Sequence, residues 1–276
     1  MMAETQRGPR FTDKIAVVTG AGNGIGLAIA HGYAAEGAVV IVADIHPPAG
    51  ERAVDEIVQA GGRAHFVETD VADEAMVEAM VGRVVAAHGR IDILVNNAGV
   101  VLHKLVVDMP REEWDRQIAV QQTGPFLTSK HVARHMIARG GGGKIVNISS
   151  LSGMMGRVRG SAHCVSKAGL NLLTKVLAME LAPYKIQVNA VVPGLIDVPV
   201  QRNEETLSLE YRESYVRMIP AGHMGETSDI AKAVLFLSSS DADWISGEQL
   251  VVDGGTMAGH YALGKQHDFA GLAGHT

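Results

Sequence analysis

At 276 residues, 47% of them apolar and evenly spread, the chain has ample length to bury one large core and contains no stretch of disordered composition. A net charge of −6 with interspersed signs argues against nucleic acid as a partner, since such proteins carry a basic stripe. No apolar run is long enough to cross a membrane, the N-terminus lacks the apolar core of a signal peptide, and the single Cys164 cannot form an internal disulfide, so a cytoplasmic protein is expected.

Residues 1–13 read as a polar, flexible tail. Lys14–Thr19 is a short β-branched run, the pattern of a strand buried on both faces. The glycine-rich stretch Gly20–Gly26 follows at once, and then Leu27, Ile29, Ala30, Tyr33 and Ala34 recur at helical spacing up to a capping Gly37. Gly20 permits a tight exit from the strand, Gly24 lets a pyrophosphate approach the helix start, and Gly26 allows close packing of helix on strand. A second strand, Val39–Ala43, delivers Asp44 about 20 residues on, where an acid that binds ribose belongs.

Further along, a helix from Pro47 to about Ala60 leads to a strand at Ala64–Glu68, and a helix over Asp73–Ala87 to a strand at Ile91–Val95. One long helix is predicted over Glu112–Ala138, then a strand at Lys144–Ile148, a helix at about Ser161–Leu181 and a strand at Ile186–Val192. Residues 201–218 read as a polar, helical and mobile segment. Thr227-Ser228-Asp229 caps a further helix to about Leu237, and Glu248–Val252 supplies the last strand. This alternation predicts the α/β class: a single Rossmann-type, doubly wound parallel sheet of about seven strands with helices on both faces. The twelve histidines are scattered, with no Cys at ligand spacing, so no metal site is expected.

The motifs now on the page resemble the classical short-chain dehydrogenase/reductase family over about Lys14–Gly255. The landmarks are Thr19-Gly20 through Gly24-Ile25-Gly26, Asp70-Val71, Asn96-Asn97-Ala98-Gly99, Asn147-Ile148-Ser149-Ser150, Pro193-Gly194 and Val252-Asp253-Gly254-Gly255. The resemblance implies a Rossmann-fold domain at 14–256 with a C-terminal extension at 257–276. It also implies an alcohol/ketone oxidoreductase with a small-molecule substrate, assembled as a homotetramer or homodimer through helices 112–138 and 161–181 and the last strand. Cofactor contacts are implied for Gly20, Asn23, Gly24, Ile25, Gly26, Asp70 and Val71 (by the adenine), Asn97 and Lys167 (by the nicotinamide-side ribose), Gly99 and Ile196. Asp44 selects NAD(H), because a carboxylate accepts from both ribose hydroxyls and repels a 2′-phosphate, and no Arg or Lys lies between Asn23 and Ala49 to reverse that sign.

The catalytic pattern departs from the family at three places. Ser150 is kept, and so is Lys167, but the position thirteen residues after Ser150 is His163 where the family has Tyr. Gln121 stands where the family carries Asn, and Val198 where it carries Thr. Imidazole also transfers protons, with a reference pKa nearer neutrality, and its nitrogen reaches less far than a phenol oxygen. The cationic Lys167 and an oxidised nicotinamide favour the neutral ring, which is a base. His163 is therefore expected to deprotonate an alcohol, with Ser150 orienting the oxygen and Gln121 anchoring a water relay.

The competing assignments are Ser150 as a turn cap, His163 as a packing residue, a non-redox enzyme on the same fold (isomerase, lyase or cyclase), a catalytically impaired Tyr-to-His variant, and a binding subunit without catalysis. Substrate contacts are expected from Val100–His103, Leu151–Arg159 and Leu195–Met218. In these loops Met154, Met155 and Met218 make an apolar wall, Arg157 and Arg159 are either solvated or bound to an acidic group, and Tyr211 or Tyr215 could supply a replacement hydroxyl. Cys164 is expected to be a small buried residue.

Overall fold

The structure, a computed structural model, describes residues 8–198 and 209–259. Seven parallel strands form one sheet in the order β3-β2-β1-β4-β5-β6-β9: β1 (Ile15–Thr19), β2 (Val39–Asp44), β3 (Arg63–Glu68), β4 (Ile93–Asn96), β5 (Gly143–Ile148), β6 (Ile186–Pro193) and β9 (Gln249–Val252). A separate two-residue pair, β7 (Ile196–Asp197) and β8 (Gly225–Glu226), lies beyond β6.

Side-chain alternation along each strand explains why helices cover both faces. Ala16, Val18, Val40 and Val42 pack with Ile29 and Tyr33 of α1 (Gly24–Ala35), Ala53 and Ile57 of α2 (Pro47–Gln59), and Ile230 and Val234 of α8 (Thr227–Ser238). Ile15, Val17, Val39 and Ile41 point the other way. They meet Met80 and Val84 of α3 (Glu74–His88), Val132 and Met136 of α5 (Gly124–Arg139), and Leu181 of α6 (Ser161–Leu181). Each such fully buried aliphatic side chain contributes about 2 kcal/mol. The sheet is thus sealed on both sides and open to ligands only at its ends.

Two local features differ from the sequence reading. The long helix over 112–138 is in fact α4 (Arg111–Ile118) and α5, joined by a π turn at Ala119–Thr123. Pro125 has no N–H to give the carbonyl of Gln121 four residues earlier, which disfavours regular α geometry at this point. Gly169 of α6 accommodates the wider turn, since a Cβ there would overlap the amide of Gln122. The cap of α8 is Glu226 rather than Thr227, in a reciprocal box with Asp229. Within 201–218, α7 (Leu209–Val216) is helical as expected. The segment 199–208, the side chain of Tyr211, residues 1–7 and the extension from residue 260 lie outside the described residues. No helix among the described residues is long and apolar enough to cross a membrane.

Candidate active site

The chain leaves β1 toward β2 and β3 but leaves β4 toward β5, β6 and β9, so a crevice opens between the C-terminal ends of β1 and β4. Gly20 exits β1 at φ +62°, and a Cβ on it would stand 2.8 Å from Ala98 Cα. A Cβ on Gly26 would overlap the Gly20 carbonyl and Asn97 Nδ2, so the expected close packing of helix on strand is real. Asn97 welds the ends of β1 and β4: its Nδ2 donates to the Thr19 and Gly20 carbonyls, 3.0 Å each, and its backbone N–H donates to Thr19 Oγ1 at 3.0 Å. Gly24 and half-buried Ile25 open α1, and exposed Gly99 follows β4.

The start of α1 fits an anion. Its N-cap is Asn23, a good capping residue, yet that side chain makes no cap bond. Instead Arg52, from α2, donates from Nη2 to Asn23 Oδ1 at 2.7 Å and to the Gly22 carbonyl at 3.1 Å. Among the described residues the first N–H groups of α1 have no side-chain acceptor, as a pyrophosphate site requires. Arg52 lies outside residues 23–49 in the sequence and reaches the loop through the return of α2 over β2. At the end of β2, Asp44 is pinned by two backbone donors: Gly22 N–H to Oδ2 at 2.8 Å and His46 N–H to Oδ1 at 3.0 Å. Asp70 accepts from Ala72 N–H at 2.9 Å, and Val71 is buried against Gly124. Ile196 is buried in β7.

On the other side of the crevice, the π turn and α6 bring Gln121 and His163 together, both buried. His163 Nδ1 lies 2.9 Å from Gln121 Oε1, and Ser166 Oγ lies 2.9 Å from the same oxygen. Gln121 Nε2 donates to the Val100 carbonyl, which fixes the amide orientation. An amide oxygen only accepts, so Nδ1 carries the proton, and in the neutral ring Nε2 keeps the lone pair. Gln121 therefore touches the imidazole directly, where the sequence reading gave it a water relay. Burial pushes the His163 pKa down to about 3, helped by the positive fields of Lys167, Arg157 and His103. The ring is neutral at pH 7.

Lys167, one helical turn on, is buried and donates from Nζ to the Ile148 carbonyl at 2.7 Å, with burial lowering its pKa to about 8. Half-buried Ser150, at the end of β5, caps the short turn Leu151–Gly153 by accepting from Ser152 N–H at 3.1 Å. This leaves the hydroxyl hydrogen free to be donated.

A buried polar network supports both walls. Asn96 Nδ2 donates to Asn147 Oδ1 at 2.8 Å, Thr128 Oγ1 donates to Asn96 Oδ1 at 2.6 Å, and Asn147 Nδ2 donates to Thr174 Oγ1 at 2.9 Å. It ties β4 and β5 to α5 and α6. The sequence reading assigned these residues no role, because their partners lie far apart in the chain. Cys164 is half-buried, in contrast to the expectation, since its neighbour His163 takes the inward position on α6. At the rim, Met154, Met155, Met218 and Arg159 are exposed, and Arg157 is half-buried.

Comparison with known proteins agrees with this geometry. Residues 20–257 match the family described as enoyl-(acyl carrier protein) reductase. An NAD-dependent glycerol dehydrogenase of Listeria innocua is 38% identical, over 89% of this chain and 94% of its own. The cis-4-hydroxycyclohexanecarboxylate dehydrogenase of Sinomonas cyclohexanicum is 39% identical, over 91% and 99% respectively. The crystal structure of a short-chain type dehydrogenase/reductase from Mycobacterium marinum superposes with a TM-score of 0.85 at 38% identity, covering 90% of this chain and 97% of that one.

Proposed function

This chain belongs to the short-chain dehydrogenase/reductase family, and we propose from that premise that it is an NAD(H)-dependent oxidoreductase interconverting a secondary alcohol and a ketone, with His163 as the proton-transfer residue. The observation that carries the reading is the bond between His163 Nδ1 and Gln121 Oε1. It leaves Nε2 as the basic nitrogen of a ring held neutral by its surroundings. In the oxidising direction Nε2 takes the hydroxyl proton of the substrate, while Ser150 donates its remaining hydrogen to the same oxygen. A bound nicotinamide supplies the hydride acceptor. Lys167 uses one of its three N–H donors on the Ile148 carbonyl and offers the others to the nicotinamide-side ribose, where its charge also opposes protonation of His163.

The residues proposed to hold the cofactor are Gly20, Asn23, Gly24, Ile25 and Gly26 at the pyrophosphate, Asp44 at the adenosine ribose, Asp70 and Val71 at the adenine, and Asn97, Gly99 and Ile196 on the nicotinamide side. Asp44 supports NAD(H) over NADP(H): its carboxylate is oriented by two backbone donors, and Arg52 is engaged by Asn23, the Gly22 carbonyl and Glu56. The Listeria relative, named for NAD dependence, agrees. Exposed Val165, Leu172, Val176 and Met179 along α6 support association of subunits through that helix.

Absorbance at the reduced-nicotinamide band, recorded with NAD⁺ against a panel of acyclic and cyclic secondary alcohols, tests the reading. We expect a His163→Ala variant to lose about a hundredfold or more in turnover and a His163→Tyr variant to retain activity. Turnover that survives His163→Ala unchanged would remove His163 from the mechanism.

A further inference from the structure

Beside His163 the loop after β4 meets the loop before α6. Lys104 bridges to Gly160, and Arg157 Nη2 lies 3.0 Å from His103 Nδ1. Arg157 has no carboxylate partner among the described residues, and its Nε is buried without any hydrogen-bond partner. An arginine that cannot lose its proton, with a donor turned away from water and unanswered, is an incomplete arrangement. Of the other basic groups in this loop pair, Lys104 is already matched by Glu113 at 2.6 Å, and Arg159 is exposed to solvent. The groups whose fields reach His163 are Lys167, Arg157 and His103, and no acid is among them. Among the described residues Arg157 therefore has no internal counterion at this end of the crevice. Around Arg157 the rim is apolar, formed by exposed Met154, Met155 and Val158.

We propose that Arg157, backed by His103, is the carboxylate-binding subsite of this enzyme, and that its substrate is a hydroxy acid whose apolar body lies against Met154 and Met155. The proposal rests on the oxidoreductase reading for the identity of the hydroxyl end. A guanidinium meets a carboxylate with two parallel N–H donors, and the one hydrogen bond that the Arg157 side chain makes among the described residues, from Nη2 to His103, leaves it donors to spare. Placed there, the acid supplies the missing partner and neutralises the field that bears on His163.

The test separates binding from turnover. Wild-type protein in saturating NAD⁺ is titrated calorimetrically with cyclohexanecarboxylate and with its uncharged analogue cyclohexanecarboxamide. The same pair is then applied to Arg157→Leu and Arg157→Gln, each checked for a native unfolding transition. We expect the acid to bind wild type at least about tenfold more tightly than the amide, and the ratio to fall toward one in both variants. Equal binding of acid and amide to wild type, no binding of either, or a preference that persists in the variants would overturn the proposal. Oxidation of 4-hydroxycyclohexanecarboxylate is scored separately as NAD⁺ reduction. Selective acid binding with no reduction of NAD⁺ by any alcohol refutes the oxidoreductase reading and leaves the subsite standing. Turnover with no preference for acid does the reverse.

Discussion

Replacing His163 with Gln should flatten the pH dependence of folding stability below neutrality. The ring titrates at about 6.5 in an unfolded chain and is pushed to about 3 in the folded protein, first by burial and then by Lys167, Arg157 and His103. Between those two values the unfolded state binds a proton that the native state refuses, so native stability falls as the pH is lowered through 6.5. Each unit of pH in that window costs about 1.4 kcal/mol, and the loss from His163 between pH 7.5 and pH 5 comes to about 2 kcal/mol. His163 is buried, so the full field acts on it with little solvent screening. Urea unfolding of wild type and His163→Gln at several pH values from 7.5 to 5 measures the effect. The quantity of interest is the change with pH of the difference between the two proteins, which cancels both the other titrating groups and the fixed cost of the substitution. Wild type should lose about 2 kcal/mol more than the variant over that range. Parallel curves would show that the ring accepts a proton in place, and the argument for a neutral base would fall with them.

Gln121→Leu removes the acceptor that fixes the His163 proton on Nδ1, and should lower kcat/KM for alcohol oxidation about 10–100-fold while the protein still binds NAD⁺ in a fluorescence titration. Gln121→Glu keeps an acceptor there but adds a negative charge, which favours the imidazolium and should move the acid limb of the pH–rate profile to higher pH. Asp44→Asn should weaken NAD⁺ binding about tenfold and raise the NADP⁺ to NAD⁺ preference ratio, read from kcat/KM with each dinucleotide. Gly26→Ala drives a methyl group into the Gly20 carbonyl and should cost about 3 kcal/mol in a denaturant titration.

What was legible in the sequence follows from how far each interaction reaches along the chain. Buried parallel strands write themselves as β-branched runs, and a phosphate-binding turn requires glycine at particular places, so β1, its turn, α1 and Asp44 could all be read locally. The interruption between α4 and α5 could not, because apolar spacing in 112–138 is compatible with one helix and only the missing N–H of Pro125 hinted otherwise. Contacts between distant residues were closed to inspection altogether. Gln121 and His163 were each marked by departure from the family pattern, but nothing in their spacing said that they touch. Arg52 lies just outside residues 23–49, and although Asn96 and Asn147 stand in family landmarks, nothing in their spacing points to each other or to Thr128 and Thr174.

The π turn at Ala119–Thr123 holds one residue more than the α turn it replaces, which sets α4 and α5 out of phase by about 100°. One nearly continuous rod can therefore present α4 to α6 while α5 lies against α3. Chain length in this stretch is consequently a more sensitive variable than composition. Deleting any single residue there would straighten the rod and swing Gln121 off the imidazole, even if every remaining side chain were kept. Surface connections absorb such indels readily; this one, which carries Gln121 to the imidazole, would not.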